Sequence, residues 1–258
     1  MSIGIHGTPP AIQAHGGTST TVNYTLSGGA RRVAIMAYCR EDSAVTASSP
    51  TFDGNAMTIV EDPGDAVGFL RSYMWRYDIP DGMGDGAKAF AVTNSSSITN
   101  GGIAVWVLND ATSGAPTHSA NNIAGSGDGV TNVAHTNGTP GFIVSSVCDN
   151  TSSQTVTWSG VTEREDATPG GGTRFSIADG AAAGNDAIQA TASGTGGDRQ
   201  LISAAFLEDL GSSSSLLLLR RRRAAMAFVS MSGPTMEAFG RIFNRTKTGL
   251  MLPEGTTA

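Results

Sequence analysis

The sequence predicts an all-β protein: an antiparallel, jelly-roll-like β-sandwich followed by an irregular or short-helical C-terminal tail. Three observations predict it. Short apolar runs recur along the first 210 residues, each bounded by Gly, Pro, Asn, Asp or Ser, the spacing of a sandwich or barrel. Glycine occurs 34 times while charged residues make up only 15% of the 258, a mix that disfavours long helices and suits strands joined by turns. Within the runs, apolar residues alternate with a period of two. A hydrophobic content of 39% is enough for a packed core and too high for a disordered chain.

In order, the first half yields strands over Thr20–Leu26, Arg32–Cys39, Met57–Val60, Gly68–Asp78, Lys88–Thr93 and Gly102–Leu108. Val33, Ile35, Ala37 and Cys39 share one face, as do Ile103, Val105 and Val107, with Ala104 and Trp106 opposite. Between Phe52 and Asn55, the pair Asp53-Gly54 favours a tight hairpin. Tyr73, Trp75 and Tyr77 fall with Arg71 on one side of their strand. Two readings of that stripe follow. It is a core strand whose Arg71 and Arg76 reach solvent at its ends, or it is a partly exposed aromatic face that stacks on sugars. The second half yields Val130–Thr136, Phe142–Cys148, Thr155–Trp158, Arg174–Ala178, Ala187–Thr191 and Leu201–Leu207. No useful helical period is found before residue 210.

At Gly211–Ser215 the composition changes to a flexible linker. The chain therefore divides into an N-terminal extension (1–19), a sandwich (20–210), a linker (211–215) and a tail (216–258). The tail holds seven basic residues against two acidic ones, whereas residues 1–215 hold nine against twenty. This asymmetry points to a tail that meets a different partner from the body. An acidic body argues against nucleic acid, which needs a basic face. Pro234 opens a short amphipathic stretch carrying Phe239, Ile242 and Phe243, too short to hold as an isolated helix. The tail is expected to dock through Leu217, Leu219, Phe228, Phe239, Ile242 and Phe243, with Arg220, Arg221, Arg222 and Arg223 pairing to acidic groups on a protein surface.

Chemistry-bearing motifs are few. Cys39 and Cys148 each end an apolar run and are expected as two buried thiols, with pairing left open. His6 and His15 read as exposed loop residues, and the four histidines lack metal-ligand spacing. Gly-x-Ser-x-Gly, phosphate-loop and dinucleotide-loop patterns are absent. Carboxylates gather at Glu61, Asp62 and Asp65, at Asp81 and Asp85, and at Glu163, Glu165 and Asp166. Solvated loops are the default reading of such groups, ahead of a calcium site or a glycosidase pair. The expectation is a non-enzyme without cofactor or metal. Residues 1–14 lack a secretory pattern and no run is long enough to span a bilayer, so synthesis is expected in the cytoplasm.

Arg32–Tyr38, the hairpin Thr51–Val60, Ala104–Asp110 with the following Pro116, Gly141–Cys148 and Leu201–Leu207 resemble the strands of a β-sandwich module. That module is found in bacteriophage virion structural proteins, decoration and tail-associated ones, and in bacterial surface proteins. The resemblance covers about residues 20–210 and brings no catalytic residues. It implies a virion component that decorates the capsid or forms part of a tail or fibre, is homo-oligomeric, and contacts other virion proteins. A glycan- or receptor-binding module using Tyr73, Trp75 and Tyr77, and a carboxylate-based glycan hydrolase, are the alternatives.

Overall fold

The computed structural model describes residues 3–7, 10–29, 31–41, 45–48, 50–64, 70–125, 127–136 and 140–209. These form eighteen strands and, among the described residues, no helix. In chain order they are β1 (Gly4–Ile5), β2 (Gln13–Ala14), β3 (Gly17–Leu26), β4 (Arg32–Glu41), β5 (Thr51–Phe52), β6 (Asn55–Ala56), β7 (Thr58–Glu61), β8 (Leu70–Ile79) and β9 (Gly86–Ile98). There follow β10 (Asn100–Asn109), β11 (His118–Ala124), β12 (Val130–His135), β13 (Gly141–Asp149), β14 (Val156–Ser159), β15 (Thr162–Ala167), β16 (Arg174–Ala182), β17 (Asp186–Ala192) and β18 (Arg199–Leu207). All pairings are antiparallel.

The strands make four sheets, and the four sheets are one pattern used twice. In the first half, β1 and β2 pair with β10, followed by β4, β8 and β7, while β3, β9, β5 and β6 form a second sheet. In the second half, β11, β18, β13, β16 and β15 follow the same order, and β12, β17 and β14 form the partner sheet. Each repeat pairs its first strand with its last, its second with its next-to-last, and its third with those flanking them, as in a jelly roll. The spacing that relates Cys39 to Cys148, 109 residues, also relates Leu26 to His135 and Met36 to Ser145. The duplication is an internal repeat that turn and strand patterns by themselves did not reveal.

Three cores lie between the four layers. Val22, Tyr24, Phe52, Trp75 and Phe90 fill the first repeat, and Val133, Ile143, Val147, Ile188 and Leu201 fill the second. Between the repeats, Val33, Ile35, Trp106 and Leu108 meet Val144, Phe175, Ile177 and Phe206. Strand β4 consequently has Val33 to Cys39 facing the middle core on odd positions and Ala34, Met36 and Tyr38 facing the outer one on even positions. A strand sandwiched on both faces reads as a continuous apolar run, which is why Arg32–Cys39 was legible.

The two repeats are joined about an approximate two-fold. Equivalent Cys39 and Cys148 are disulfide-bonded, with Cα atoms 5.7 Å apart, which corrects the expectation of free thiols. Gly102, opposite Cys39, lies where an added Cβ would strike Phe175. Its counterpart Gln200 reaches across to accept from the Ser72 backbone N–H at 2.7 Å. Glu165 accepts from the Ile12 N–H, and its counterpart Glu61 accepts from Asn121. Contacts of residue i with j that recur as j with i are those of a symmetric dimer interface, here built within one chain.

The N-terminal segment is not an extension outside the sandwich. β1 and β2 extend the first repeat's large sheet, and Ile3, Ile5 and Ile12 pack on the middle core. His6 and His15 are buried at 6% and 1% exposure, correcting their reading as solvent-exposed. Residues 210–258, which include the linker and tail, lie outside the described residues.

Candidate functional site

The residues expected to carry function are distributed very differently in the fold. Leu217, Leu219, Arg220 to Arg223, Phe228, Phe239, Ile242 and Phe243 lie outside the described residues. Tyr73 and Trp75, on β8, are each only 4% exposed and stack on one another with ring centroids 4.8 Å apart. Tyr77 is half-buried and packs on Phe52. The exposed-stripe reading is therefore corrected: β8 lies between two layers, and its aromatic side fills the first repeat. Sugar stacking needs a solvent-facing ring, and neither Tyr73 nor Trp75 offers one. The arginines at the ends of the strand behave as the core-strand reading predicts, Arg71 pairing with Asp62 at 3.1 Å and Arg76 with Asp78 at 2.6 Å.

Of the acidic groups, Asp62, Asp81, Asp85 and Asp166 are tied into the framework. Asp166 holds Arg174 through two bonds of 2.7 Å. Asp81 accepts from the Arg31 backbone N–H, and Asp85 pairs with the buried Arg32. Glu163 is pushed upward by burial and by Asp166. Asp65 lies outside the described residues. Among the described residues, no group of three His, Cys, Asp or Glu is placed to hold a metal ion, and no helix is long and apolar enough to cross a membrane. A cleft of about 400 Å³ is lined by Arg31, Arg32, Asp78, Pro80, Asp81 and Asp209. Arg31 is engaged there by Asp110 at 2.8 Å.

The densest arrangement of reactive side chains lies inside the second repeat. The imidazoles of His118 (β11) and His135 (β12) meet Nδ1 to Nδ1 at 2.9 Å. Nε2 of His135 is 2.8 Å from the Ser203 hydroxyl, which is 2.7 Å from that of Ser145. A hydrogen bond between two ring nitrogens requires one to donate and the other to accept, so the two rings cannot both be doubly protonated while it holds. Burial, with a smaller push from His118, lowers His135 to about 4, and Asp186 opposes the shift. Hydroxyl, imidazole and orienting group have the connectivity of a nucleophile, base and positioner. Ser203 and Ser145 are wholly buried, however, and His135 is 1% exposed. No substrate carbonyl can approach Oγ of Ser203, and the chain of bonds acts as a polar inclusion in an apolar core.

In the first repeat the positions of His135, Ser145 and Ser203 are all apolar. His135 corresponds to Leu26, Ser145 to Met36, and Ser203, which pairs with Ser145, to Val105, which pairs with Met36. The same architecture thus closes with apolar side chains in one repeat and with a four-member hydrogen-bonded chain in the other. His118 has a counterpart, since its pairing with Ala205 matches the bond from the His6 N–H to Val107 O.

A second buried polar arrangement sits at the end of the large sheets. Arg199 and Asp149 are 1% and 0% exposed and pair at 2.6 Å. The same guanidinium donates to Gln154 and to the carbonyls of Asp128, Gly194 and Gly196, so its burial is fully compensated. None of these residues stood out in the sequence. The available signal was that each cysteine is followed at once by a charge, Arg40 after Cys39 and Asp149 after Cys148, at the end of an apolar run. Comparison of the chain with protein-family models finds no match, and comparison with curated proteins finds none.

Proposed function

We propose that the protein is a non-catalytic structural component of a bacteriophage virion, with a rigid duplicated sandwich as its body and the basic, apolar segment 216–258 as its docking element. The observation that carries this reading is the division of labour in the chain. In the described body, Asp62, Asp149 and Asp166 are consumed by ion pairs, and the buried hydroxyls of Ser145 and Ser203 by hydrogen bonds. The net positive charge and a separate set of large apolar side chains are held beyond residue 215. A short segment that orders on a partner can wrap a surface that a flat sandwich cannot. The strand resemblance supports the same reading, and so does a disulfide closed between the repeats, since released particles meet an oxidising exterior.

The partner on this reading is another virion protein with an acidic, apolar-lined surface, and the component is a capsid decoration or a part of the tail or fibre. Deletion of residues 212–258 leaves the body folded, as read by an unchanged far-ultraviolet circular dichroism spectrum, and abolishes incorporation into particles. Incorporation of the truncated chain at full occupancy would refute the docking role.

A further inference from the structure

We propose that the first repeat holds a buried oxyanion site at Arg40, a position the second repeat fills with its own carboxylate. The argument begins with the cross-strand row that ends the two large sheets. In the second repeat the row reads Arg199, Asp149, Arg174, since Asp149 is directly opposite both arginines. In the first repeat the corresponding row reads Gly101, Arg40, Arg71. The outer arginine is common to both, and so is its partner: Arg71 is held by Asp62 as Arg174 is held by Asp166. The centre differs in sign. Where the second repeat buries an aspartate paired to Arg199, the first buries an arginine beside a glycine.

Charge balance in the second row is complete, with two arginines and two aspartates. Among the described residues, the first row sets two arginines beside one aspartate, and its central position carries an arginine where the second row carries a carboxylate. Arg40 is 0% exposed. Its Nη2 is 3.4 Å from the Tyr73 hydroxyl, while its Nε and Nη1 have no hydrogen-bond partner among the described residues. Its neighbour Glu41 is occupied on the other face of the strand by Asn100 at 2.7 Å and by Thr173. The ring of Tyr73 lies under both guanidinium groups, 5.9 Å from Arg40 and 5.0 Å from Arg71. On the far side of Gly101, in the same row, His15 donates its backbone N–H to Gly101 O and bonds Asn94 through Nε2, leaving Nδ1 buried without a partner.

A buried guanidinium with unmatched donors is strongly unfavourable unless an anion meets it. Arginine is the side chain best suited to a phosphate, a sulfate or a carboxylate. The ligand is therefore a compact oxyanion, free or carried on a larger molecule, and it takes in the first repeat the role that Asp149 takes in the second.

The test is thermal unfolding of the full chain, titrated with sodium phosphate, sulfate or acetate against sodium chloride at equal ionic strength. The expected result is a saturable rise in the midpoint with at least one oxyanion and none with chloride. Phosphate and sulfate responses identify a tetrahedral ligand, and an acetate response identifies a carboxylate. In Arg40→Met the rise disappears, while the midpoint in chloride is equal to or above that of the parent. Arg40→Gln serves as the second variant, with the same expectation. Equal response to all salts, or a variant that keeps the oxyanion response, overturns the proposal. So does a loss of stability in Asp42→Asn or Asp65→Asn that vanishes on adding Arg40→Met, because the charge would then be balanced from within the chain.

Discussion

At the scale of single residues, the two repeats act as controls for one another. The position of Leu26 shows that the fold accepts an apolar side chain where the second repeat has His135. His135 has a folded value near 4, below its ordinary value near 6.5, because burial penalises the imidazolium. The unfolded chain therefore takes up the proton first. Stability is fully present above pH 6.5 and declines as the pH falls towards 4. His15 is shifted in the same direction by burial. In His135→Leu the thermal midpoint should fall by several degrees less between pH 7 and pH 4.5 than in the parent, with His15 among the groups that contribute to the residual slope. Stability at pH 7 should change by no more than about 2 kcal/mol, since Ser203 keeps Ser145 as a partner. An unchanged pH slope would remove His135 from this role.

At the scale of elements, the strands that sequence patterns missed are those that pack least. β11 carries His-Ser-Ala-Asn-Asn-Ile-Ala and β15 carries Thr-Glu-Arg-Glu-Asp-Ala, both at sheet edges, where polar side chains guard unpaired backbone groups. Glu163, Glu165 and Asp166 read as a loop because a guarded edge and a solvated loop have the same composition. Turns were more legible. The predicted Asp53-Gly54 hairpin joins β5 to β6 with φ of 51° and 80°, the left-handed pair that a two-residue connection requires. Gly160, between β14 and β15, faces a harsher constraint: φ is 84° and an added Cβ would lie 2.2 Å from Ala187 O. Gly160→Ala should cost about 2–3 kcal/mol and Gly54→Ala, which opens into free space, only about 1 kcal/mol. Denaturant midpoints of the two variants check the order, which reverses if the turn at Gly160 yields easily.

At the scale of the whole molecule, the middle core belongs to both repeats, so neither has a complete set of covered faces without the other. A buried apolar face shared in this way couples the halves into one cooperative unit. The prediction is a single unfolding transition, monitored by circular dichroism and by tryptophan fluorescence, at coincident midpoints. The Cys39–Cys148 bond closes a span of 109 residues across that core. Replacing both cysteines by serine should lower stability by about 2–5 kcal/mol while leaving the transition single. Two separated transitions would mean that the repeats fold independently and that the shared core contributes little.

The sequence by itself determined the sandwich class, twelve of the eighteen strands and the tight hairpin at Asp53-Gly54, because alternation and turn chemistry are local and survive without knowledge of what lies opposite. It also determined the reversal of charge at the tail. Only the tertiary structure decided which strands face two layers, that Trp75 is core, that the thiols of Cys39 and Cys148 meet, and that one arrangement is used twice. Those facts depend on pairing between residues about a hundred positions apart, where similar shape and burial are retained by different side chains. Leu26 against His135 and Arg40 against Asp149 are alike in place and unlike in chemistry, and it is the fold that brings each pair into correspondence.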